Sequence, residues 1–193
     1  MDNKQLLYDI IELNNLFRES ASIQTLLDKT VEMVASHTAS DVCSVYLYNS
    51  ENHELVLSAT RGLNPDSVGR VRLKLGQGLT GLALKELRPV CEKDAVHNPN
   101  FKFFPGIYEE RYHCFLAVPI VRGISRIGVL VVQRQQDRYF DESDVEAMEA
   151  AASQLANIIE NARFLMAMHE PHEQPFLSST QDTEAAAIVA EAP

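Results

Sequence analysis

A glycine-rich stretch, Gly76-Gln77-Gly78-Leu79-Thr80-Gly81, has a spacing suited to binding an anion. Its three glycines follow a G-x-G-x-x-G spacing, after an extended segment and before a helical one. Glycine lets backbone N–H groups approach a ligand without a Cβ in the way, and a helix start adds unpaired donors and partial positive charge. The stretch therefore predicts either a turn that binds a carboxylate or phosphate, with Leu79 and Thr80 as donors, or a tight strand-to-helix turn.

The segments that flank this turn argue against a dinucleotide-binding fold. Residues 71–75 alternate between apolar and polar, whereas a strand inside a parallel sheet is apolar on both faces. The helix after the turn must end before Pro89, because proline disfavours helix in the residue before it. About two turns of helix remain, which is short for the crossover of a βαβ unit.

The composition restricts the class of protein. The chain has 193 residues, 46% of them hydrophobic, and a formal net charge of −10, so we expect one domain with extensions and no nonspecific affinity for nucleic acid or anionic membranes. No apolar run approaches the roughly 20 residues of a membrane span, and the N-terminus lacks a signal-peptide pattern. The three cysteines, Cys43, Cys91 and Cys114, are far apart and show neither metal-ligand spacing nor a disulfide framework. We expect a cytoplasmic protein without a metal or cofactor.

The apolar periodicity predicts an α+β chain with helices at both ends. One amphipathic helix is predicted within residues 6–17 and a second, capped by Ser20 or Ser22, within residues 23–34. Strands are predicted at residues 42–48, 54–60, 70–75, 89–92, 114–121 and 127–132. The first three form a meander and the last two a hairpin. Residues 94–113 form a long, aromatic-rich connection of a kind that is often functional.

The closing helix carries the strongest pattern in the chain. Asp141 is its predicted cap and Asp144 its third helical residue. Its apolar positions repeat in steps of three and four and form a heptad seam: Val145, Met148, Ala152, Leu155, Ile159, Ala162 and Met166. This seam predicts a helix that pairs with its counterpart in a homodimer, or a helix that lies on its own sheet. The part beyond about residue 156 is expected to overhang the sheet, and residues 167–193 are read as a linker or tail.

Short sequences along residues 4–166 resemble the GAF domain family, in particular the N-terminal GAF domains of nitrogen-related phosphotransferase enzymes I. The segments that carry the resemblance are residues 42–47, 59–63, 98–102, 109–111, 115–120, 128–133 and 139–143. The resemblance implies a six-stranded antiparallel sheet in the order 3-2-1-6-5-4. It implies terminal helices on one face and a ligand pocket on the other, under the short helices and long loop of residues 76–112. The phosphotransferase catalytic domains have no counterpart in this sequence, so we expect a sensor fragment or a free-standing relative.

The resemblance also implies a pocket for a small polar ligand. The candidate ligand-binding residues are Ser44, Tyr46, Thr60, Arg61, Leu79, Thr80, Asp94, Tyr108, Glu109, Arg111 and Val131. Arg61 or Arg111 suits a two-pronged pairing with a carboxylate, and a lid carboxylate, Asp94 or Glu109, suits an ammonium. Such a set fits an amino acid or a dicarboxylate, and the family suggests glutamine or 2-oxoglutarate.

Three functions follow as hypotheses. The first is a non-catalytic sensor that binds a metabolite and signals through its terminal helices to a phosphotransferase output. The second is a ligand-free GAF scaffold that serves for dimerisation. The third is a redox enzyme similar to free methionine-R-sulfoxide reductase. It is disfavoured because that family's cysteine positions fall near Arg70, Thr80 and Tyr108, none of which is cysteine.

Overall fold

A six-stranded antiparallel sheet forms the frame of the fold. The computed structural model describes residues 22–135 and 139–169, and the side chains of this part up to residue 164. Its helices are α1 (Ile23–His37), α2 (Gly78–Glu86) and α3 (Glu142–His169). Its strands are β1 (Val42–Asn49), β2 (Glu54–Arg61), β3 (Arg72–Lys74), β4 (Val90–Glu92), β5 (Cys114–Arg122) and β6 (Ser125–Arg134). The predicted helix within residues 6–17 and the predicted tail from residue 170 onward lie outside the described residues.

The sheet has the order β3-β2-β1-β6-β5-β4, which confirms the predicted topology. Every paired neighbour is antiparallel. The third strand is shorter than the predicted residues 70–75. Val71 and Leu75 lie just outside β3. Each makes one backbone hydrogen bond to β2 or the turn before it, Val71 with Leu57 and Leu75 with His53. Strands β5 and β6 are longer than predicted, at 9 and 10 residues, and they lie on the side of the sheet away from β3.

Helices α1 and α3 cover one face of the sheet, which we call the helix face. Alternate residues of β1 and β5, such as Cys43, Val45, Leu116 and Val118, meet the apolar stripes of both helices in one core. The opposite face, which we call the pocket face, packs against α2 and the connection between β4 and β5. Because both faces are covered, β1 and β5 are buried almost throughout, as their apolar sequences predict.

Side-chain caps begin both long helices. The Ser22 hydroxyl accepts a hydrogen bond from the Thr25 backbone N–H at 3.2 Å. At the start of α3, Asp141 accepts from the Asp144 N–H at 2.9 Å, and Asp144 accepts from the Asp141 N–H at 3.1 Å. This reciprocal pair is a capping box. The predicted caps at Ser22 and Asp141 are therefore confirmed.

The heptad seam of α3 is buried within the chain from Met148 to Ala162. Met148, Ala152, Leu155 and Ile159 belong to the helix-face core, and Val145 packs against it. The expected overhang is wrong at Ile159 and Ala162, which are 0% and 1% exposed. The physical reason is strand length, since strands of 9 and 10 residues span roughly 30 Å at about 3.3 Å per residue. The side chain of Met166 lies outside the described part. A homodimer stays a prediction, but the seam residues from Met148 to Ile159 contact the core of their own chain.

In the part of the chain that the structure describes, no helix combines the length and the apolar character needed to span a membrane.

Candidate functional site

A small, partly enclosed cavity lies on the pocket face of the sheet. Its volume is about 10 Å³, close to the minimum that holds one water molecule. It is lined by Tyr46, Leu73, Gly78, Leu79, Thr80, Phe101, Lys102, Phe104, Glu109 and Phe115. The sheet supplies its floor, the start of α2 one wall, and residues 93–113, which we call the lid, its cover.

Glu109 is the buried acid of this cavity. A short 3₁₀ turn, Glu109–Arg111, brings it inward after Tyr108, whose φ is +66°. Only 7% of Glu109 is exposed, and one of its carboxyl oxygens accepts a hydrogen bond from Gln133 Nε2 at 3.1 Å. The pKa of Glu109 is raised to about 7, mainly by burial. The hydrogen bond from Gln133 lowers this pKa by a smaller amount, and the charge of Glu110 raises it slightly. Glu109 therefore changes charge near neutral pH.

Gln133 is a buried polar residue beneath the lid that was not predicted from the sequence, and it pairs with Glu109. The residue is fully buried, and among the described residues its Oε1 has no hydrogen-bond partner. The signal that would have found it is strand alternation, because Val129, Val131 and Gln133 occupy one face of β6. Burial raises the pKa of the neighbouring Tyr46 phenol, and the charge of Glu109 raises it further.

The glycine-rich turn delivers the start of α2 to the cavity. Gln77 is the N-cap, but its side chain makes no capping bond and instead accepts a hydrogen bond from the Lys74 N–H at 3.0 Å. A Cβ on Gly81 would approach the Lys74 carbonyl oxygen to 2.7 Å, so the turn needs glycine there. Leu79 and Thr80, the two predicted donors, both line the cavity.

Three other predicted residues form the deeper part of the pocket face. The Ser44 and Thr60 hydroxyls are joined by a hydrogen bond of 2.8 Å across β1 and β2. Val131 is buried in the same core and pairs with Ser44 in the sheet. None of the three lines the cavity.

Arg61 lies on the helix face, so its prediction as a pocket residue is wrong. Its Nε is 3.2 Å from a carboxylate oxygen of Glu32, and its Nη1 donates to Ser36 Oγ at 3.2 Å. The reason is alternation: Thr60 pairs with Ser44, and the next side chain along β2 points to the opposite face.

Three more predicted pocket residues, Asp94, Tyr108 and Arg111, lie on the outer side of the lid and do not line the cavity. The Asp94 carboxylate binds the Nδ1 atoms of His97 and His113 at 2.8 and 2.9 Å, and these hydrogen bonds lower its pKa, that to His113 most. The Arg111 guanidinium lies 4.8 Å from the centre of the Tyr108 ring. Sequence alone places such residues in the lid without saying which side they face.

All three thiols lie away from the cavity. Cys43 and Cys114 are buried in the helix-face core. Burial raises the pKa of the Cys43 thiol well above its ordinary value. Cys91 is on the edge strand β4, and burial, followed by nearby carboxylates, raises its pKa as well. Protonated thiols are poor nucleophiles.

A six-stranded antiparallel sheet in the order 3-2-1-6-5-4, with helices packed on it, is the α+β architecture of GAF domains. The chain belongs to the GAF domain family, because the family model for GAF domains matches residues 20–160. The predicted limits of 4 and 166 stay predictions.

Relatives of this chain include GAF domains of phosphotransferases. The GAF domain of Acinetobacter phosphoenolpyruvate-protein phosphotransferase is 33% identical, covers 86% of this chain and 97% of that one, and gives a TM-score of 0.74. The corresponding domain from Coxiella burnetii is 30% identical, covers 86% and 99%, and gives a TM-score of 0.76. A curated relative from Escherichia coli K12, the phosphoenolpyruvate-dependent phosphotransferase system protein, is 34% identical over 123 residues, or 64% of this chain. The match spans only 16% of that relative's length.

Proposed function

We propose that this GAF domain is a metabolite sensor that binds a free amino acid under the lid. It would pass the occupied state through its terminal helices to a phosphotransferase catalytic domain. GAF domains are regulatory as a class, and the names of the relatives in which such a domain occurs support a phosphotransferase output. The proposal keeps the cytoplasmic, non-enzymatic character expected from the sequence.

The observation that carries the proposal is a pair of buried acceptors. The Glu109 carboxyl group and Gln133 Oε1 lie in the same polar group, and Oε1 is unpaired among the described residues. A buried acceptor without a partner costs about 1–3 kcal/mol. An ammonium offers three donors and one positive charge, so it would pair with the Glu109 carboxyl group, which lines the cavity, and favour its ionised form.

The other side of the cavity suits an anion. The backbone at Leu79 and Thr80 belongs to the first turn of α2, where unpaired N–H groups and the helix dipole favour negative charge. Lys102 also lines the cavity and adds a cation. A ligand with an ammonium at one end and a carboxylate at the other matches both sides.

This arrangement discriminates between the two metabolites that the family suggests. Glutamine carries an ammonium and one carboxylate, whereas 2-oxoglutarate carries two carboxylates and no ammonium. A second carboxylate beside Glu109 would meet a like charge in a buried site, which is unfavourable. We therefore assign the amino acid class, with glutamine favoured over 2-oxoglutarate.

Ligand entry requires the lid to move. The cavity of about 10 Å³ is far below the roughly 300–1,000 Å³ typical of ligand pockets. Polar contacts between the lid and the rest of the fold include Asn64, which donates from Nδ2 to the Gly106 carbonyl at 3.0 Å and from its N–H to the Ile107 carbonyl at 3.4 Å, and Gln133, which donates to Glu109 at 3.1 Å. Lid opening would have to break these contacts. Binding of a ligand would therefore change the position of the lid.

The small volume of the cavity is also the observation that favours the second hypothesis, a ligand-free scaffold used for dimerisation. In that case the lid is ordinary core packing and the buried polar group only a cost to stability. The redox hypothesis has less support, because the thiols lie outside the cavity.

A calorimetric panel of amino acids and keto acids at neutral pH tests the proposal. We expect saturable binding of an amino acid, at least about tenfold tighter for glutamine than for 2-oxoglutarate, since one buried charge contact is worth about 1.5–3 kcal/mol. Arg61→Ala is the matched control and should leave this affinity unchanged. Absence of binding across the whole panel would favour the scaffold, and tighter binding of 2-oxoglutarate would refute the role given to Glu109.

A further inference from the structure

Three side chains with metal-binding chemistry meet on the outer side of the lid. Asp94, His97 and His113 each offer one ligand atom, and these three atoms lie within 4.8 Å of one another. One Asp94 oxygen is 2.8 Å from His97 Nδ1, and the other is 2.9 Å from His113 Nδ1. The two imidazole rings are tilted by 35°, with their centres 6.3 Å apart.

The fold holds this cluster in place before any ion arrives. His97 ends the 3₁₀ turn Ala95–His97, for which Asp94 is the N-cap residue. His113 directly precedes β5, and its carbonyl accepts a hydrogen bond from the Ala95 N–H at 2.8 Å. The backbone at the two ends of the lid is therefore already joined, and the three side chains project from this junction.

The spacing and the donor types fit a transition-metal ion. Bonds of about 2.0–2.1 Å to nitrogen and oxygen put neighbouring ligand atoms about 2.9–3.4 Å apart. Both observed Nδ1–O distances are close to that range. The largest separation among the three ligand atoms, up to 4.8 Å, exceeds it, and rotation of the exposed His97 ring would shorten that separation. Imidazole suits zinc, copper, nickel and iron, whereas magnesium and calcium prefer all-oxygen sites.

We propose that Asp94, His97 and His113 bind one divalent transition-metal ion of the zinc class, with water in the remaining coordination positions. The ion ties the first residues of the lid to its last one. Phe101, Lys102, Phe104 and Glu109 lie between these ligands in the sequence and cover the cavity. A bound ion therefore restrains the ends of the segment that must open for a ligand. The metal site itself does not depend on what the cavity binds, whereas its effect on ligand entry rests on the proposed function.

The test uses the whole chain without a histidine tag, freed of metal with a chelator. We expect calorimetry with zinc chloride to show one site in the low micromolar range or tighter. His97→Ala and His113→Ala should each weaken it at least about tenfold, as expected for the loss of one of three ligands. His53→Ala is the matched control, because His53 pairs with Tyr48 in another part of the fold. Magnesium chloride should give no binding.

A second measurement separates lid restraint from simple surface binding. Amide hydrogen exchange of residues 94–113 should slow when zinc is added to the wild type and should not change in His97→Ala. Circular dichroism shows whether the variants remain folded, as expected for exposed side chains. Zinc binding that is absent, or that persists unchanged in both histidine variants, would overturn the site. Binding without slower exchange in the lid would overturn the restraint.

Discussion

Replacing Ile159 by glutamate is expected to unfold the domain. Ile159 is fully buried in the core between α3 and the sheet. The change removes an apolar side chain worth roughly 1.5–3 kcal/mol of burial and places an unpaired carboxylate in its position, at a further cost of several kcal/mol. Together these effects are comparable with the 5–15 kcal/mol that typically stabilises a domain. Circular dichroism and urea denaturation would measure the loss.

The matched control for this prediction is Phe164→Glu. Phe164 lies five residues further along the same helix and is 66% exposed, so its replacement should change the free energy of unfolding by less than about 0.5 kcal/mol. Light scattering on the same samples reports assembly. A different outcome would contradict this assignment. If the wild type is a dimer and Ile159→Glu is a folded monomer, the seam forms the interface between two chains and does not belong to the intrachain core.

Glu109→Gln is expected to flatten the dependence of stability on pH. The pKa of Glu109 is raised from 4.5 to about 7 in the folded protein, so between these values the folded state holds a proton that the unfolded state has lost. Unfolding then releases protons, and the free energy of unfolding falls as pH rises through this window. The wild type should lose about 3 kcal/mol more than the variant between pH 4.5 and pH 8, at 1.36 kcal/mol per pKa unit.

Urea denaturation at a series of pH values measures this difference. The control is Glu110→Gln, which changes the exposed neighbouring carboxylate and should keep most of the wild-type slope. Parallel curves for the wild type and Glu109→Gln would mean that the Glu109 carboxyl group is well solvated, and the small, partly enclosed cavity would then be a wrong description of the site.

The sequence predicted the frame of the fold because the frame rests on local chemistry. The alternating and continuous apolar runs of β1 and β5 specify which residues face a core, and the acceptors at Ser22 and Asp141 specify where helices begin. The strand order came from the resemblance to the GAF family, since no local pattern decides which strands become neighbours. Likewise, the heptad seam fits a partner helix and a flat sheet equally well, and only the lengths of β5 and β6 show that the sheet reaches Ile159.

The site was predicted less completely for a related reason. Tyr46, Leu79, Thr80 and Glu109 line one cavity, because the glycine turn, one strand face and the lid meet there, and their role in binding a ligand stays a prediction. Arg61 was assigned to the wrong face of the sheet. Its neighbour Thr60 lies on the pocket face, and a shift of one residue in a strand reverses the face.

The most direct test of the central claim, that Glu109 receives the ammonium of an amino acid, is proton release on binding. At pH 7 a group with a pKa of about 7 is half protonated, and an ammonium partner should ionise it. Calorimetry with glutamine in two buffers of different ionisation enthalpy should report the release of up to about 0.5 proton per ligand in the wild type. In Glu109→Gln we expect no proton release and weaker binding. Binding with no proton release, at an affinity that Glu109→Gln leaves unchanged, would contradict the account.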